Sequence, residues 1–170
     1  MKRIIKDQKI VNDDWVVIKA ADDGSFPEIA NGTKAIVPLK LWLERHAEFK
    51  ARQGTIGVWL DSNDEPKLIA EDLRHLPVIA INFPQFVDGR GFSISRLLRE
   101  RYYYKGELRA IGDVLRDQIF FMHRCGFNAF EVRADKSIEN ALNAFNDFSD
   151  GYQTGVDQPI PYFRRRTVEA

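Results

Sequence analysis

From Lys34 onward the chain repeats one pattern. A short apolar run breaks abruptly into a loop containing Gly, Asp, Asn or Pro, and an amphipathic helical stretch follows. The runs are Ala35–Val37, Thr55–Leu60, Val78–Asn82, Glu107–Ile111 and Ala129–Arg133. Short apolar runs bounded by helices imply parallel strands joined by right-handed crossovers. Five strand–helix units in about 115 residues predict an α/β fold, either an open sheet or a partial (β/α) barrel. A complete eight-unit barrel needs about 200 residues or more. The chain has 170 residues in all.

The helical faces follow from spacing. Leu39, Trp42, Leu43, His46 and Phe49 share one face after Pro38, which suits a first helical turn. Leu68, Ile69, Leu73 and Leu76 mark a second helix, with Asp61-Ser62-Asn63-Asp64 as loop and N-cap. Ser93 can cap a third, carrying Ile94, Leu97, Leu98 and Tyr102 inward, and Asp113 a fourth, carrying Leu115, Ile119 and Met122. Gly126 is a plausible stop for the fourth. Asp135 or Ser137 caps the last, whose face holds Ile138, Ala141, Leu142, Phe145 and Phe148.

The ends of the chain read differently. Arg3–Lys6 and Lys9–Val11 flank Asp7-Gln8 as a β-hairpin, Trp15–Ile18 is a third apolar run, and the stretch to Thr33 is a loop. Residues 1–33 are therefore expected to form a small antiparallel β flap, residues 34–151 the β/α core, and residues 152–170 an extended C-terminal arm, all in one domain.

Bulk properties remove several classes of function. Lys plus Arg and Asp plus Glu are both 25, so the chain lacks the basic field of a general nucleic-acid or membrane-surface binder. No apolar run approaches the roughly 20 residues of a membrane-spanning helix. The N-terminus lacks the apolar stretch of a secretory signal. The single cysteine, Cys125, cannot form an internal disulfide or hold a cluster alone. The expectation is a cytoplasmic, reduced protein.

In alternating β/α folds, sites are built from the loops that follow the strands. Two such loops lie between Ile79 and Gln118. In FPQFVDGRG, Gly89 and Gly91 flank Arg90, whose guanidinium is a bidentate partner for a small oxyanion, with Asp88 beside it as a base or as a bracing ion-pair partner. Asp113 follows the next strand, as a base, a metal ligand or a helix cap, the cap being the commoner role for an Asp in that place. Asp88, Arg90 and Asp113 are expected in one neighbourhood. Two glycines do not make a dinucleotide fingerprint.

Arg96, Arg99, Glu100, Arg101, Arg109, Arg116 and Asp117 read mainly as solvated faces. Arg109, on a strand, points either into a pocket or out to water. Tyr102-Tyr103-Tyr104 reads as packing at a helix end, His46 as a satisfied core histidine and Cys125 as an inert thiol. There is no P-loop, no GxSxG, no CxxC and no metal-ligand spacing among His46, His75 and His123. No cofactor and no metal are predicted. At the C-terminus, Tyr162, Phe163, Arg164, Arg165 and Arg166 read as a partner-docking surface, a solvated terminus or a strap across the same molecule.

The segments RIIKDQKIVNDDW, IVPLKLWL, GVWLDSNDEP, LPVIAINFPQFVDGRGFSISRLLRERY, GELRAIGDVLRDQIFFMHRCGFNAFEVR and FRRR span nearly the whole chain. Together they resemble a bacterial domain-of-unknown-function family described as an oxidoreductase of sulfite reduction. Its members tend to be encoded beside sulfite reductase genes. The resemblance supplies no catalytic residues. It implies an accessory or regulatory protein of assimilatory sulfite reduction, without its own redox cofactor, whose partner is sulfite reductase or its electron donor. The residues alone equally fit a small enzyme or oxyanion-binding protein with its site at the C-terminal ends of the strands. They leave open whether the protein is an enzyme and whether it forms an oligomer.

Overall fold

The structure is a computed structural model that describes residues 1–165. Eight strands form one sheet: β1 (Lys2–Lys6), β2 (Lys9–Asp13), β3 (Val16–Val17), β4 (Ala35–Pro38), β5 (Ile56–Leu60), β6 (Val78–Phe83), β7 (Glu107–Gly112) and β8 (Ala129–Phe130). Their order is β2-β1-β8-β7-β6-β5-β4-β3. From β3 to β8 every pairing is parallel and every neighbour is next in sequence. Successive right-handed crossovers in that order put all the connecting helices on one face. The sheet curls into a half-barrel with helices packed on it, which settles the sequence's two alternatives for the partial barrel.

The N-terminal hairpin is antiparallel as expected, and Asp7 and Gln8 take the left-handed conformation its two-residue turn requires (φ 48° and 59°). It extends the sheet, because β1 pairs antiparallel with β8. The third apolar run pairs elsewhere, parallel to β4 at the opposite edge.

Strand alternation sorts the side chains into two layers. Ile79, Ile81 and Phe83 of β6 join Leu108 and Ala110 of β7 in the large core beneath the helices. Val78 and Ala80 turn the other way. With Ile36 and Ile111 they form a smaller cluster on the inner face, against which Trp15, Val17 and Trp59 pack.

The helical segments are shorter and more broken than their periodicity suggests. The first divides at Arg45 (φ −116°) into α1 (Leu39–Glu44) and α2 (His46–Ala51). The change of direction buries Leu39, Leu41, Trp42 and Phe49 and leaves Leu43 46% exposed. The second is not α-helical. It consists of 3-10 turns at Pro66–Ile69 and Leu73–His75. Helix α3 (Arg90–Arg96) runs on into a π turn, Leu97–Arg101. There Arg99 donates to the carbonyl oxygens of Tyr104 (2.6 Å), Gly106 (3.0 Å) and Gly126 (2.9 Å), tying the helix to the segments that enter β7 and β8. Helix α4 (Arg116–Arg124) ends before Gly126, as its sequence predicts. Helix α5 (Ile138–Leu142) is capped by Ser137, whose Oγ accepts from the Asn140 N–H at 3.1 Å.

Two expected caps are absent. Ser93 lies inside α3, which starts from Gly89, and α4 starts from Leu115 with no side-chain cap. Asp113 instead accepts from Arg133 Nη1 at 2.8 Å.

The described part of the C-terminal arm is irregular apart from one helical turn, α6 (Tyr162–Arg165). It folds back on the molecule: Val156 N–H donates to the Arg124 carbonyl (2.8 Å), and Arg165 pairs with Asp150 (2.7 Å).

Candidate functional site

The loops after β5, β6 and β7 leave the sheet at the same end, and hydrogen bonds join the first two. Asn82, next to last in β6, donates through Nδ2 to Asp61 Oδ1 at 3.1 Å. Asp61 Oδ1 also accepts from the Ser62 N–H (2.9 Å), while Asp64 Oδ2 accepts from the Asp61 N–H (2.7 Å). The β6–α3 loop reaches the same turn, where Arg90 Nη1 donates to Asn63 Oδ1.

Arg90 itself is held by Asp88. Nε meets Oδ1 at 2.9 Å and Nη2 meets Oδ2 at 2.6 Å, a bidentate fork. The fork keeps the Asp88 carboxyl well below its ordinary range. An oxyanion at Arg90 would have to compete with this carboxylate. The two flanking glycines have separate reasons. Gly89 is the first residue outside the helix, and Gly91 is packed so tightly that a Cβ would come within 2.7 Å of the Phe83 ring. Asp113 is engaged by Arg133, which also holds Asp135, and neither touches the Asp88–Arg90 fork. Of the C-terminal arginines, Arg165 pairs with Asp150 and lies 5.4 Å over the Tyr162 ring. Arg166 falls outside the described residues.

A cavity of about 410 Å³ opens at this end of the half-barrel. Its walls come from the ends of four successive parallel strands: Pro38 of β4, Trp59 of β5 with Asp61 and Asp64 beyond it, Asn82 of β6 and Ile111 of β7. Leu39 and Lys40 of α1, and Lys19 and Phe26 from the loop after β3, complete it. The Trp59 indole is fixed, since its Nε1–H donates to the Ile18 carbonyl at 2.8 Å. At the end of β7, Gly112 has φ +91°, and a Cβ there would lie 2.5 Å from the Phe83 carbonyl oxygen and 2.6 Å from Asn82 Oδ1. Only glycine lets β7 turn away this close to Asn82.

The sequence points to the loops that follow the strands, and to the DGRG loop among them; the cavity opens at that same end of the sheet and is lined by residues outside that loop. In the sequence Asn82 reads as a strand residue and Asp61–Asp64 as a loop and helix cap. Their shared signal was position: polar residues at or just past the ends of adjacent parallel strands.

The inner face carries a second polar group that sequence left undecided. Arg109 is 1% exposed and forks onto Asp13 (2.8 and 2.9 Å), with Nε on Glu107 (2.7 Å). Lys6 pairs with Glu107 (2.7 Å), and Lys2 lies 3.7 Å from Asp13 and 2.7 Å from Glu131. Burial pulls the Arg109 pKa down, but the bonds to Asp13 and the charge of Glu107 outweigh it and raise the net value. A larger groove, about 750 Å³, lies at the opposite end beside Leu73 and Tyr102–Tyr104. The Tyr104 hydroxyl beside it already donates to the Leu76 carbonyl oxygen at 2.9 Å, and this end of the sheet holds none of the loops that follow the parallel strands.

Fold and cavity together define a mostly parallel half-barrel with a polar-edged mouth at its strand C-termini. The chain belongs to DUF934, a family of bacterial proteins of unknown function, whose profile matches residues 57–163. Trp59, Asp61, Asp64, Asn82 and Ile111 fall inside that match, and the other mouth residues precede it. No curated protein and no solved structure matches the chain. Among the described residues no group of three or more His, Cys, Asp or Glu could hold a metal ion, and no helix is long and apolar enough to cross a membrane.

Proposed function

We propose that the protein works by binding a small ligand at the mouth of the half-barrel. One observation carries this reading: the ends of four consecutive strands converge on a cavity of about 410 Å³ that is apolar on most sides and polar along one edge. Small-ligand sites have this make-up, with volumes of roughly 300–1,000 Å³, and parallel sheets place them at the strand C-termini. The reading is tested by a thermal-shift screen of metabolites on the wild type and on Asn82→Ala. Hits that stabilise the first and not the second support it. Hits indifferent to Asn82 place the site elsewhere.

The process proposed for this binding is assimilatory sulfite reduction, with the protein as an accessory or regulatory component. The resemblance across nearly the whole chain supports it, and the partner proposed is sulfite reductase or its electron donor. A deletion strain should grow poorly on sulfite as sole sulfur source. Normal growth would end this reading while leaving the mouth site standing.

A further inference from the structure

The mouth's polar edge is one-sided in its chemistry. Asp61 Oδ1 and Asp64 Oδ2 already accept backbone or amide N–H groups, and neither carboxylate's other oxygen takes a hydrogen bond among the described residues. Asn82 has given an amide N–H to Asp61, which leaves its Oδ1 as an acceptor beside Gly112. What remains for a ligand is a set in which acceptors outnumber donors: the second oxygens of Asp61 and Asp64 and the Asn82 carbonyl, against the one N–H that Asn82 still has to give. A carboxylate or phosphate head would be repelled here, and a head with several N–H groups would be held.

The rest of the cavity is mainly apolar. The fixed Trp59 indole, Phe26, Pro38, Leu39 and Ile111 line it, which suits an unsaturated ring stacked on an aromatic face. At the rim stand two lysines. Lys40 is only 4.0 Å from its nearest acid, Glu44, both being exposed, and Lys19 makes no ion pair among the described residues. They are available to a phosphate or another anionic substituent.

We infer that the mouth takes a flat nitrogen heterocycle with a row of N–H donors, the 2-amino-4-oxopyrimidine edge shared by guanine and pterins, carrying an anionic or polar tail at the lysine rim. This rests on the mouth being the ligand site. The ring N–H and the exocyclic amino group of that edge lie side by side and match a carboxylate in bidentate fashion. Adenine presents an acceptor in place of the ring N–H, opposite a carboxylate that has no proton to give. A site that reads an N–H in this way discriminates strongly against an analogue lacking it.

Isothermal titration of the full-length protein tests the assignment with four probes: GMP, AMP, guanosine and neopterin. GMP should bind at least tenfold tighter than AMP. Asp61→Asn, which keeps the side-chain shape, should weaken GMP at least tenfold and leave AMP unchanged, and Asp64→Asn serves if that variant does not fold. Lys40→Ala should narrow the gap between GMP and guanosine. Neopterin binding tighter than GMP assigns the pterin source, and the reverse order assigns the nucleotide. Equal binding of GMP and AMP, or no binding by GMP and neopterin, overturns the inference. In that event a broader metabolite panel separates the two readings. A ligand of another class that is lost in Asp61→Asn keeps the mouth site alive, and an empty panel removes both.

Discussion

Asn82 and Asp61 stand at the ends of neighbouring parallel strands, and the 3.1 Å hydrogen bond from Asn82 Nδ2 to Asp61 Oδ1 joins them. The bond fixes the carboxylate at the edge of the mouth and sets the direction in which the amide carbonyl is left free. Asn82→Ala should cost about 1.5–3 kcal/mol of stability, the usual worth of a hydrogen bond to a charged group. It should also abolish stabilisation by any mouth ligand. Urea denaturation with and without ligand measures both. A variant that keeps the full ligand effect would show that this edge makes no contact with the ligand.

The Asp88–Arg90 fork braces the β6–α3 loop, and its effect on pH dependence has a definite sign. The Asp88 carboxyl is depressed by the Arg90 guanidinium, so the contribution is present above the unfolded carboxylate value of about 4 and is lost as the pH falls below it. The melting-temperature gap between wild type and Asp88→Asn should stay constant from neutral pH down to about 4 and close below that. The same variant frees Arg90. Sulfate or sulfite should then raise its melting temperature more than that of the wild type. A wild type that responds equally would mean that oxyanions reach Arg90 despite Asp88.

Arg109 and Asp13 form a buried pair, with side chains 1% and 2% exposed. Removing Asp13 takes two hydrogen bonds from the buried guanidinium and leaves it Glu107 alone. Asp13→Ala should therefore destabilise the fold by about 3–5 kcal/mol, measured by denaturant titration. Arg109→Met should also destabilise, but by less, because Lys2 and Lys6 remain near Asp13 and Glu107. The opposite ranking would contradict the network as described.

Cys125 is 3% exposed, and burial pushes its thiol up to about 11. Iodoacetamide at about pH 8 should leave the native protein unmodified and label it fully in denaturant. Because the unfolded thiol ionises near 8.5, the folded state should lose stability as the pH rises from there towards 11. In Cys125→Ala this alkaline component should disappear. Rapid labelling of the native protein would show the thiol to be exposed.

Much of this architecture is legible in the sequence. The alternation of strand and helix sets a parallel sheet, and the left-handed Asp7-Gln8 turn marks a hairpin. Legibility fails where long-range packing overrides local signals. Leu43 fits a helical stripe, but the break at Arg45 turns it outward. Ser93 and Asp113 have cap chemistry, yet α3 begins three residues earlier and Arg133 claims Asp113. Arg99 sits among charged residues that read as solvated. Its carbonyl partners lie on chain segments up to 27 residues away, a relationship that only the fold creates. The mouth was obscured for a similar reason. Asp61, Asn82 and Gly112 are unremarkable along the chain and become a unit only because β5, β6 and β7 are adjacent in the sheet.

Ligands that enter at the mouth should move the three tryptophan indole N–H resonances unequally, which nuclear magnetic resonance reads directly. Trp59 lines the mouth, Trp15 packs on the inner face away from it and Trp42 is buried under α1. Titration with GMP and then with a metabolite panel should shift the Trp59 indole and Asn82 side-chain amide signals along one saturable curve while Trp42 stays still. Saturable shifts confined to the Tyr102–Tyr104 groove, with Trp59 unmoved, would contradict entry at the mouth.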